Sequence, residues 1–482
     1  MASPIAIFQS SRVLAPPSAR PWLMATTLAG VDICTTGLAV IAGFRFWSLM
    51  NPAIPPLQRV MALAPVFCVA MFAFQGLYPG IGMGAVEHIR RVFGGITLVY
   101  LMLTAAMFMT KDRWADSRGG FFFAWALSLA LAPAGRWFCG QTFGRRSWWG
   151  VPVVILGAGE TGRRVIRNLG MNRVLGYRPL VCLDDDPGKH GDCAGVPVTG
   201  FLSDAADLAA EYRIRYAIVA MPGMPRAALT AHLRHWARTF PNILIIPDLF
   251  GIASLWIETR DLGGVLGLEI RHNLLKPVNR WIKRAVDVAA AAAGLVLIAP
   301  LVFIAALWIK AASRGPAFFV QEREGENGKP IRILKLRTMY VNAEGMLERH
   351  LAANAEDRSE WDQFCKLKND PRVLPGVGKL LRRTSLDEIP QLWNILKGEM
   401  SLVGPRPFPV YHNSRFDPEF RSLRTQVRPG LTGMWQVNAR SDGDLDVQES
   451  LDSYYIRNWS LWLDLYLLIR TARVVLTGEG AY

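Results

Sequence analysis

Four long apolar stretches occupy the first part of the chain, and each is separated from the next by a short polar and basic loop. Each stretch approaches the roughly 20 residues that a helix needs to cross the hydrocarbon of a bilayer. The stretches lie at about 22–44, 57–78, 92–110 and 121–139. The pattern therefore predicts four transmembrane helices within residues 1–145.

Charged residues beside these stretches bear on the orientation of the chain. Basic residues occur in every loop, so the positive-inside count does not settle the orientation by itself. Four spans return the chain to its starting side, and Arg136, Arg145 and Arg146 mark that side as cytoplasmic. Asp32 lies inside the first stretch, where it is either a functional acid or a group that faces a neighbouring helix.

The pattern changes near residue 150 to short β-branched runs separated by helical periodicity. The segment VPVVILGAGETGRRVIRNLG, residues 151–170, begins as an apolar strand, breaks at three glycines and continues as a helix. Further strand candidates lie at 215–222 and 242–249. Strands that alternate with helices predict a Rossmann-like parallel α/β domain over residues 146–250.

The glycines at the first strand–helix junction match a dinucleotide-binding fingerprint. Gly157, Gly159 and Gly162 have the Gly-x-Gly-x-x-Gly spacing, and Asp184 follows about 20 residues later. These four residues form a possible nucleotide site. Two interpretations stay open, a nucleotide-binding regulatory domain and a scaffold that helps the protein form a homodimer, and NAD is not assigned as a cofactor.

A fifth apolar run follows a Gly-rich connector, residues 251–278, which contains a possible hairpin. The run at 285–309 is long enough to span a bilayer, yet basic residues flank it on both sides and Pro300 lies at its centre. Proline removes a helix hydrogen bond, so a bend is expected there. The pattern predicts a re-entrant helix that enters and leaves by the cytoplasmic face; the alternative is a kinked full span.

Composition supports a membrane protein with anionic partners. Hydrophobic residues make up 51% of the chain, and 54 Lys and Arg against 39 Asp and Glu give a net charge of +15. With this much apolar sequence, the basic excess favours anionic lipid or phosphate over nucleic acid. The six cysteines are widely spaced, so neither a disulfide framework nor a zinc site is predicted.

Four short basic motifs cluster in the C-terminal part of the chain. They are KLRTM at 335–339, KLKNDPR at 366–372, RRTSLDE at 382–388 and LVGPRP at 402–407. Each joins Lys or Arg to residues typical of rigid turns, as expected where phosphate oxygens are held in fixed positions. The candidate phosphate-binding residues are Lys335, Arg337, Lys368, Arg382, Arg383, Arg406 and Arg440.

Two adjacent acids, Asp387 and Glu388, lie within this basic set. In isolation, such a pair is typical of a solvated amphipathic helix. Among phosphate-binding motifs, a division of labour is physically reasonable, because one carboxylate can attack phosphorus while the other holds Mg²⁺ that neutralises the phosphate charge. Asp387 and Glu388 are therefore the predicted catalytic residues.

Residues 279–482 resemble the bacterial sugar transferases that act on polyprenyl phosphate, the monotopic phosphoglycosyl transferases. The resemblance rests on LDE-x-PQL-x-N, SLVGPRP and PGLTGMWQV at 429–437. With four helices and an α/β domain in front, the whole chain is similar to the large branch of the family that transfers galactose phosphate. We therefore expect a membrane protein of α and α/β parts with a mainly helical catalytic domain.

The resemblance implies a ping-pong reaction at the cytoplasmic face of the bacterial inner membrane. Asp387 would attack the sugar-bearing phosphate of a UDP-hexose and expel UMP, and undecaprenyl phosphate would then take the hexose-1-phosphate. Glu388 would hold Mg²⁺, Arg383 and Arg406 would contact phosphates, and Pro300 would break the re-entrant helix. Galactose is the expected hexose and glucose its near competitor.

Two functions of other classes compete with this one. A membrane-tethered NAD-dependent dehydratase or epimerase would use the glycine fingerprint, but such enzymes usually carry Tyr-x-x-x-Lys, and none of the eleven tyrosines has lysine four residues later. A non-enzymatic membrane scaffold would require neither the acid pair nor the phosphate motifs.

Overall fold

A computed structural model of the chain describes residues 19–52, 61, 63–109, 118–247, 257–261, 266–270, 273–354, 357–358, 361, 367, 370–409, 413, 416–438 and 445–477. The chain divides into two compact units, Met1–Phe250 and Gly251–Tyr482. The first unit contains the N-terminal helices and the α/β sheet, and the second contains the acid pair.

The N-terminal part of the first unit is built from four helices. They are α1 (Pro21–Met50), α2 (Ala64–Phe74), α3 (Ala85–Met109) and α4 (Arg118–Phe143). In the described part of the chain, α1, α3, α4 and one helix of the second unit are long and apolar enough to cross a membrane. The second predicted span corresponds to α2, which has only 11 residues before the chain turns at Gln75 and Gly76.

Helices α1 and α4 approach each other closely through small residues. A Cβ atom added to Gly43 would lie 2.5 Å from the backbone nitrogen of Ala124, so only glycine allows this approach. Asp32 on α1 forms a buried ion pair with Arg136 on α4, with a Nη2–Oδ2 distance of 2.6 Å. The acid inside the first span thus faces a neighbouring helix, and Tyr78 also donates to it.

The α/β part of the first unit is a six-stranded sheet with the strand order β3-β4-β2-β1-β5-β6. The strands are β1 (Val151–Leu156), β2 (Tyr177–Leu183), β3 (Gly191–Cys193), β4 (Val196–Gly200), β5 (Tyr216–Val219) and β6 (Asn242–Ile245). The helices are α5 (Glu160–Met171), α6 (Ala205–Glu211) and α7 (Arg226–Trp236). Five strands are parallel, but β3 pairs antiparallel with β4, so the sheet is mixed rather than fully parallel. Apolar cores cover both of its faces, which explains the near-continuous apolar sequence of β1.

The second unit begins with the hairpin predicted in the connector. Its strands, β7 (Ile257–Asp261) and β8 (Leu266–Ile270), are antiparallel. Helix α8 (Pro277–Ala312) follows and continues through Pro300. Large apolar side chains along its central part are exposed, including Val296, Leu297 and Phe303. The re-entrant hairpin stays a prediction.

Short elements build the remainder of the second unit. The strands are β9 (Phe318–Glu324), β10 (Pro330–Leu336), β11 (Ser401–Val403) and β12 (Gly430–Thr432). The helices are α9 (Ala343–Ala353), α10 (Val377–Arg383), α11 (Gln391–Lys397), α12 (Pro418–Thr425), α13 (Met434–Asn438), α14 (Leu445–Asn458) and α15 (Leu461–Thr477). The expectation of a mainly helical domain fits this composition, with two small two-stranded ladders, β9–β10 and β11–β12, between the helices.

Candidate active site

Asp387 and Glu388 lie in a sharp turn and not in the middle of a helix. Helix α10 ends at Arg383, Ser385 adopts a left-handed conformation with φ of 55°, and a single 3₁₀ turn, Leu386–Glu388, leads into α11. Both acids are only partly exposed. This geometry does not match a solvated amphipathic helix, because the turn directs the acids inward against other elements of the unit.

Glu388 is the centre of a small ionic cluster. Its Oε1 atom accepts from Lys335 Nζ at 2.8 Å and from Arg406 Nη2 at 3.1 Å. Lys335 lies on β10 and Arg406 lies in the turn after β11, so three distant parts of the sequence meet at one carboxylate. Burial opposes ionisation, but these two cations outweigh it and hold the pKa of Glu388 at about 2.

Asp387 has the opposite electrostatic environment. Burial and the negative charge of Glu388 raise its pKa to about 6, although Lys335 and Arg382 oppose this shift. Two adjacent carboxyl groups therefore have very different pKa values. Such a separation is typical of acid pairs whose members have different chemical roles.

Asn394 aligns the strand that carries Lys335 with the turn that carries the acids. Its Oδ1 accepts from Leu334 N at 3.0 Å, and its Nδ2 donates to Arg332 O at 2.7 Å. The side chain is buried on α11, six residues after Glu388. The asparagine of the LDE-x-PQL-x-N motif thus has a positioning role.

Two glycine-containing motifs meet backbone to backbone and hold Arg406 in place. Gly404 N donates to Thr432 O at 2.9 Å, and Gly430 N donates to Pro405 O at 2.8 Å. A Cβ atom on Gly430 would lie 2.1 Å from Gly404 N, which real structures do not tolerate. SLVGPRP and PGLTGMWQV are therefore paired segments, β11 with β12, whose close contact fixes the turn that contains Arg406.

A buried arginine that the sequence analysis missed supports the same turn. Arg424 on α12 donates to the backbone oxygen of Arg406, to Asn413 Oδ1 at 2.6 Å and to Asp452 Oδ2 at 3.4 Å. Its guanidinium also lies 4.9 Å from the ring centroid of Phe408. Arg424 therefore positions Arg406 by holding its backbone oxygen.

A sequence signal for Arg424 was available. Phe420 and Arg424 are four residues apart on a short helix, so they share one face, and both are buried. A buried arginine needs acceptors. The acceptors come from segments far away in sequence, which periodicity alone cannot pair.

Comparisons with known proteins agree with this geometry. Residues 278–478 match the family described as bacterial sugar transferase, and residues 74–247 match a family described as a CoA-binding domain. The undecaprenyl-phosphate galactose phosphotransferase of Salmonella typhimurium is 32% identical over 399 residues, which cover 82% of each chain. The chain belongs to the bacterial sugar transferases.

Two further relatives are similar in sequence to this transferase. The UDP-galactose-lipid carrier transferase of Erwinia amylovora is 31% identical over 403 residues, again 82% of each chain. The UDP-glucose:undecaprenyl-phosphate glucose-1-phosphate transferase of Escherichia coli is 36% identical over 341 residues, 68% of each chain. The protein is thus a membrane-associated transferase enzyme, as the acid pair and the apolar helices predicted.

The remaining predicted phosphate-binding residues of the transferase lie in different environments. Arg382 lies near Asp387 and donates from Nε to Thr338 Oγ1 at 3.0 Å. Arg337 is buried and donates to Pro316 O at 2.6 Å and to Ser313 O at 3.0 Å, which ties β10 to the end of α8. Arg383 is exposed at the end of α10. Lys368 and Arg440 lie outside the described residues, and phosphate binding by all five cations stays a prediction.

The glycine-rich turn of the transferase brings its predicted residues together, but its acid is already bonded. Asp184 Oδ2 accepts from Ala158 N at 2.8 Å, and Oδ1 accepts from Asp186 N at 3.0 Å. Burial opposes ionisation, but these amides and Lys189 hold the pKa of Asp184 below its ordinary value. The Asp184 carboxylate is therefore already satisfied by amides of its own loops, and nucleotide binding at this turn stays a prediction.

Two of the three fingerprint glycines pack against their own domain. A Cβ atom on Gly157 would lie 2.4 Å from Met221 Cγ, and one on Gly162 would lie 2.1 Å from Gly157 O. Gly159 has open space around it. Close packing of strand against helix therefore accounts for Gly157 and Gly162 without a ligand, and no step of the reaction below involves a nucleotide bound here.

The acid pair fits a magnesium site that would be completed by substrate phosphates. In the part of the chain that the structure describes, no group of three or more His, Cys, Asp or Glu side chains could hold a metal. Mg²⁺ is commonly bound by one or two carboxylates together with substrate phosphates and water. Glu388, ionised at all ordinary pH values, suits that role beside Asp387, and the resulting site would be completed by substrate.

Proposed function

We propose that this transferase moves hexose-1-phosphate from a UDP-hexose to undecaprenyl phosphate and releases UMP. The observation that carries the proposal is the acid pair itself. Glu388 is ionised and held by Lys335 and Arg406, while Asp387 beside it has a pKa of about 6 and is ionised near neutral pH. The names of the relatives from Salmonella, Erwinia and Escherichia describe this class of substrates.

In the first half-reaction, an Asp387 carboxylate oxygen attacks the sugar-bearing phosphorus of UDP-hexose. A bond forms between that oxygen and phosphorus, the bond from phosphorus to the bridging oxygen breaks, and UMP leaves with the electron pair. Burial makes Asp387 a stronger nucleophile than an exposed carboxylate, because its negative charge is poorly solvated. An aspartyl-phosphosugar remains on the enzyme.

In the second half-reaction, undecaprenyl phosphate displaces Asp387. A phosphate oxygen of the acceptor attacks the same phosphorus, the bond to the Asp387 oxygen breaks, and undecaprenyl-diphosphate-hexose is formed. Each half-reaction exchanges one phosphorus–oxygen bond for another, so neither requires a net proton transfer. The free carboxylate is regenerated for the next donor.

The cations around the pair match the charges that these steps create. Lys335 and Arg406 lie where they can share their positive charge between Glu388 and the phosphates of the donor. Glu388, beside Asp387, would hold Mg²⁺, and the ion would neutralise phosphate charge when bound. Arg382 lies beside Asp387 and lowers the cost of its ionisation.

The packing of α8 supports the proposed re-entrant arrangement. A straight helix of 36 residues is about 54 Å long, well above the thickness of the hydrocarbon. Asp287 near one end accepts from Ser401 and Leu402, and Ala305 and Ile309 near the other end pack in the core of the same unit. One compact domain contacts both ends, which favours a helix that enters and leaves by the same, cytoplasmic face of the inner membrane.

The hexose is proposed to be galactose, with glucose as the competing substrate. Two relatives that match 82% of their length carry galactose in their names, whereas the glucose-named relatives of Escherichia coli and Caulobacter vibrioides match 68% and 72%. One sugar hydroxyl distinguishes the two donors, and any of several side chains can supply the hydrogen bond that reads it.

The decisive experiment measures UMP release by the full chain in nanodiscs with Mg²⁺. UDP-galactose, UDP-glucose and their N-acetyl relatives are each tested with and without undecaprenyl phosphate. We expect a single stoichiometric burst without acceptor and sustained release with it, from one sugar. No UMP from any donor would contradict the proposal and favour the scaffold function, whose binding partners would then be sought. Elution in size-exclusion chromatography with light scattering tests the proposed homodimer.

A further inference from the structure

A charged cavity of about 230 Å³ lies in the second unit, at the start of α8. Its lining includes Arg280 and Arg284 from α8, Arg428 from the segment before β12, and Glu326 from the turn between β9 and β10. We refer to the three arginines and the space between them as the arginine cleft. Apolar side chains also line the cavity, including Leu274, Val403 and Val427.

The arginine cleft is separate from the acid pair. Helix α11 begins just after Glu388, and Arg284 donates to the backbone oxygens of Ile395 and Leu396 at the opposite end of that helix. Seven residues of helix extend about 10 Å. The cleft therefore lies beyond the far end of α11, and none of its residues belongs to the cluster around Glu388.

The charges in the cleft favour an anion. Four cationic and two acidic side chains line it, and Lys283, one of the cations, is paired with Asp464 at 2.7 Å. Arg280 and Arg428 share the single carboxylate of Glu326. Among the described residues, the hydrogen bonds of Arg284 go to neutral carbonyl oxygens, and the Asp287 carboxylate acts on its charge without a direct ion pair. A guanidinium has five N–H donors, and these contacts occupy only part of them. Phosphate oxygens are well matched to the remaining donors.

The surface beside the cleft indicates where a bound anion would lie relative to a membrane. Val278, Trp281, Ile282 and Val286 share one face of the first turns of α8, and all four are exposed. Trp281 is 76% exposed and also lines the cleft. Tryptophan next to arginine at the end of an apolar helix is typical of the level of lipid headgroups.

We propose that the arginine cleft binds the phosphate of an anionic membrane phospholipid and thereby fixes the depth of the first turns of α8. The phosphodiester accepts from the three guanidiniums, and the acyl chains follow the exposed apolar face of α8. A soluble phosphate or nucleotide carries the same chemistry, so the test must separate the two sources. The proposal does not depend on the hexose or on the covalent mechanism.

The experiment is native mass spectrometry of the full chain, released from detergent micelles. Phosphatidylglycerol is titrated and compared with dioleoylglycerol, which has similar chains but no phosphate. We expect adducts of phosphatidylglycerol to form at concentrations at least about tenfold lower, which corresponds to about 1.4 kcal/mol. Equal binding of the two lipids would overturn the proposal.

Variants in the cleft give changes in both directions. The double variant Arg280→Gln/Arg428→Gln should weaken phosphatidylglycerol binding about tenfold, because it removes two of the three guanidinium groups. Glu326→Gln should strengthen it several-fold, because it frees Arg280 and Arg428 from their shared carboxylate. Arg332→Gln, an exposed arginine on β10, is the matched control and should bind as the wild type does.

The single variant Glu326→Gln tests the proposal even if the double variant fails to fold. Circular dichroism establishes the fold of each variant, and unchanged lipid binding in Glu326→Gln contradicts the proposal whatever the double variant does. Inorganic phosphate and UMP are added as competitors. Displacement of the lipid only at high concentrations supports the membrane source, whereas tight binding of either competitor, lost in the double variant, would overturn it in favour of a soluble phosphate.

Discussion

Two sequence motifs in this transferase place an acid next to phosphate-binding features, and the structure treats the two acids in opposite ways. Asp184, at the glycine-rich turn, accepts from Ala158 N and Asp186 N, so the carboxylate is satisfied by its own loop. Asp387 instead lies beside Glu388, and burial together with this second carboxylate raises the pKa of Asp387 to about 6. One acid stabilises the fold, and the other is held in an environment that penalises its charge.

The difference teaches that a motif match does not by itself indicate a ligand. The glycine fingerprint is complete, yet close packing explains Gly157 and Gly162, and hydrogen bonds within the turn explain Asp184. The acid pair is explained by neither, because two distant segments bring positive charges to it. Charge that converges from distant segments is the stronger sign of a functional site.

The largest effect is expected for Asp387→Asn. The amide cannot form the phosphoryl ester, so UMP release should fall at least about 10⁴-fold, as for other nucleophile removals. The variant should stay folded, because it removes a carboxylate whose charged form is penalised by burial. Steady-state UMP release and thermal unfolding are the measurements.

The exposed acid Asp446 in the same unit provides the matched control for this variant. Asp446→Asn should keep the activity of the wild type. A burst of UMP in Asp387→Asn equal to the enzyme concentration would show that another residue is the nucleophile.

A smaller effect with a characteristic pH dependence is expected for Glu388→Gln. UMP release by the wild type should fall as the pH drops through about 6, by about tenfold at pH 5, because Asp387 becomes protonated. Removing the charge of Glu388 should lower the rate about 10²-fold and move this acid limb to lower pH. Rates between pH 4.5 and 8 are compared for the two proteins.

The shift of the acid limb separates electrostatics from simple damage to the site. An unchanged limb in an active Glu388→Gln variant would mean that Asp387 does not set the pH dependence. Glu348→Gln, on α9 and away from the pair in sequence, serves as the control.

A moderate effect is expected for Arg424→Lys. Lysine keeps a positive charge near Asp452 but cannot reach the Arg406 oxygen, Asn413 and Asp452 together. We expect the rate of UMP release to fall about tenfold with little change in overall fold. Because Arg424 acts through Arg406, the double variant Arg424→Lys/Arg406→Gln should be no slower than Arg406→Gln alone. Additive losses would contradict a positioning role.

The smallest effect on catalysis is expected for Asp184→Asn. Its ionised carboxylate stabilises the folded state at neutral pH, because its pKa in the folded protein lies below the ordinary value. The variant should lose about 1 kcal/mol of stability at pH 7 and keep its UMP release. The deficit should disappear as the pH falls and the wild-type carboxylate also becomes protonated.

Asp207→Asn, an exposed acid of the same domain, is the control for the loss of charge. Thermal unfolding at pH 7 and at a pH well below 3.8, the ordinary value for an aspartate, gives the comparison. A tenfold loss of UMP release in Asp184→Asn would show that the α/β domain takes part in catalysis. It would contradict the contrast drawn between Asp184 and Asp387. Calorimetry of the wild type with NAD and coenzyme A tests the turn directly, and no binding heat is expected.

The sequence by itself determined the features that depend on local periodicity and composition. Long apolar runs gave α1, α3, α4 and α8 their length, and alternation of strand and helix patterns indicated an α/β domain, although not its six strands or the antiparallel β3. The acid pair and its flanking motifs were sufficient to indicate the family, because the motifs lie close together in the chain. These properties depend on the order of apolar, polar and glycine residues along the chain.

Only the tertiary structure decided how charges are shared between segments. Arg337 and Arg406 are both basic residues of conspicuous motifs, yet Arg337 is buried against the end of α8 and Arg406 contacts Glu388. Arg424 gave no motif and still positions the site. The physical reason is that the partner of a charged side chain is set by which distant segments pack together, whereas local sequence fixes only the helix or strand that carries it.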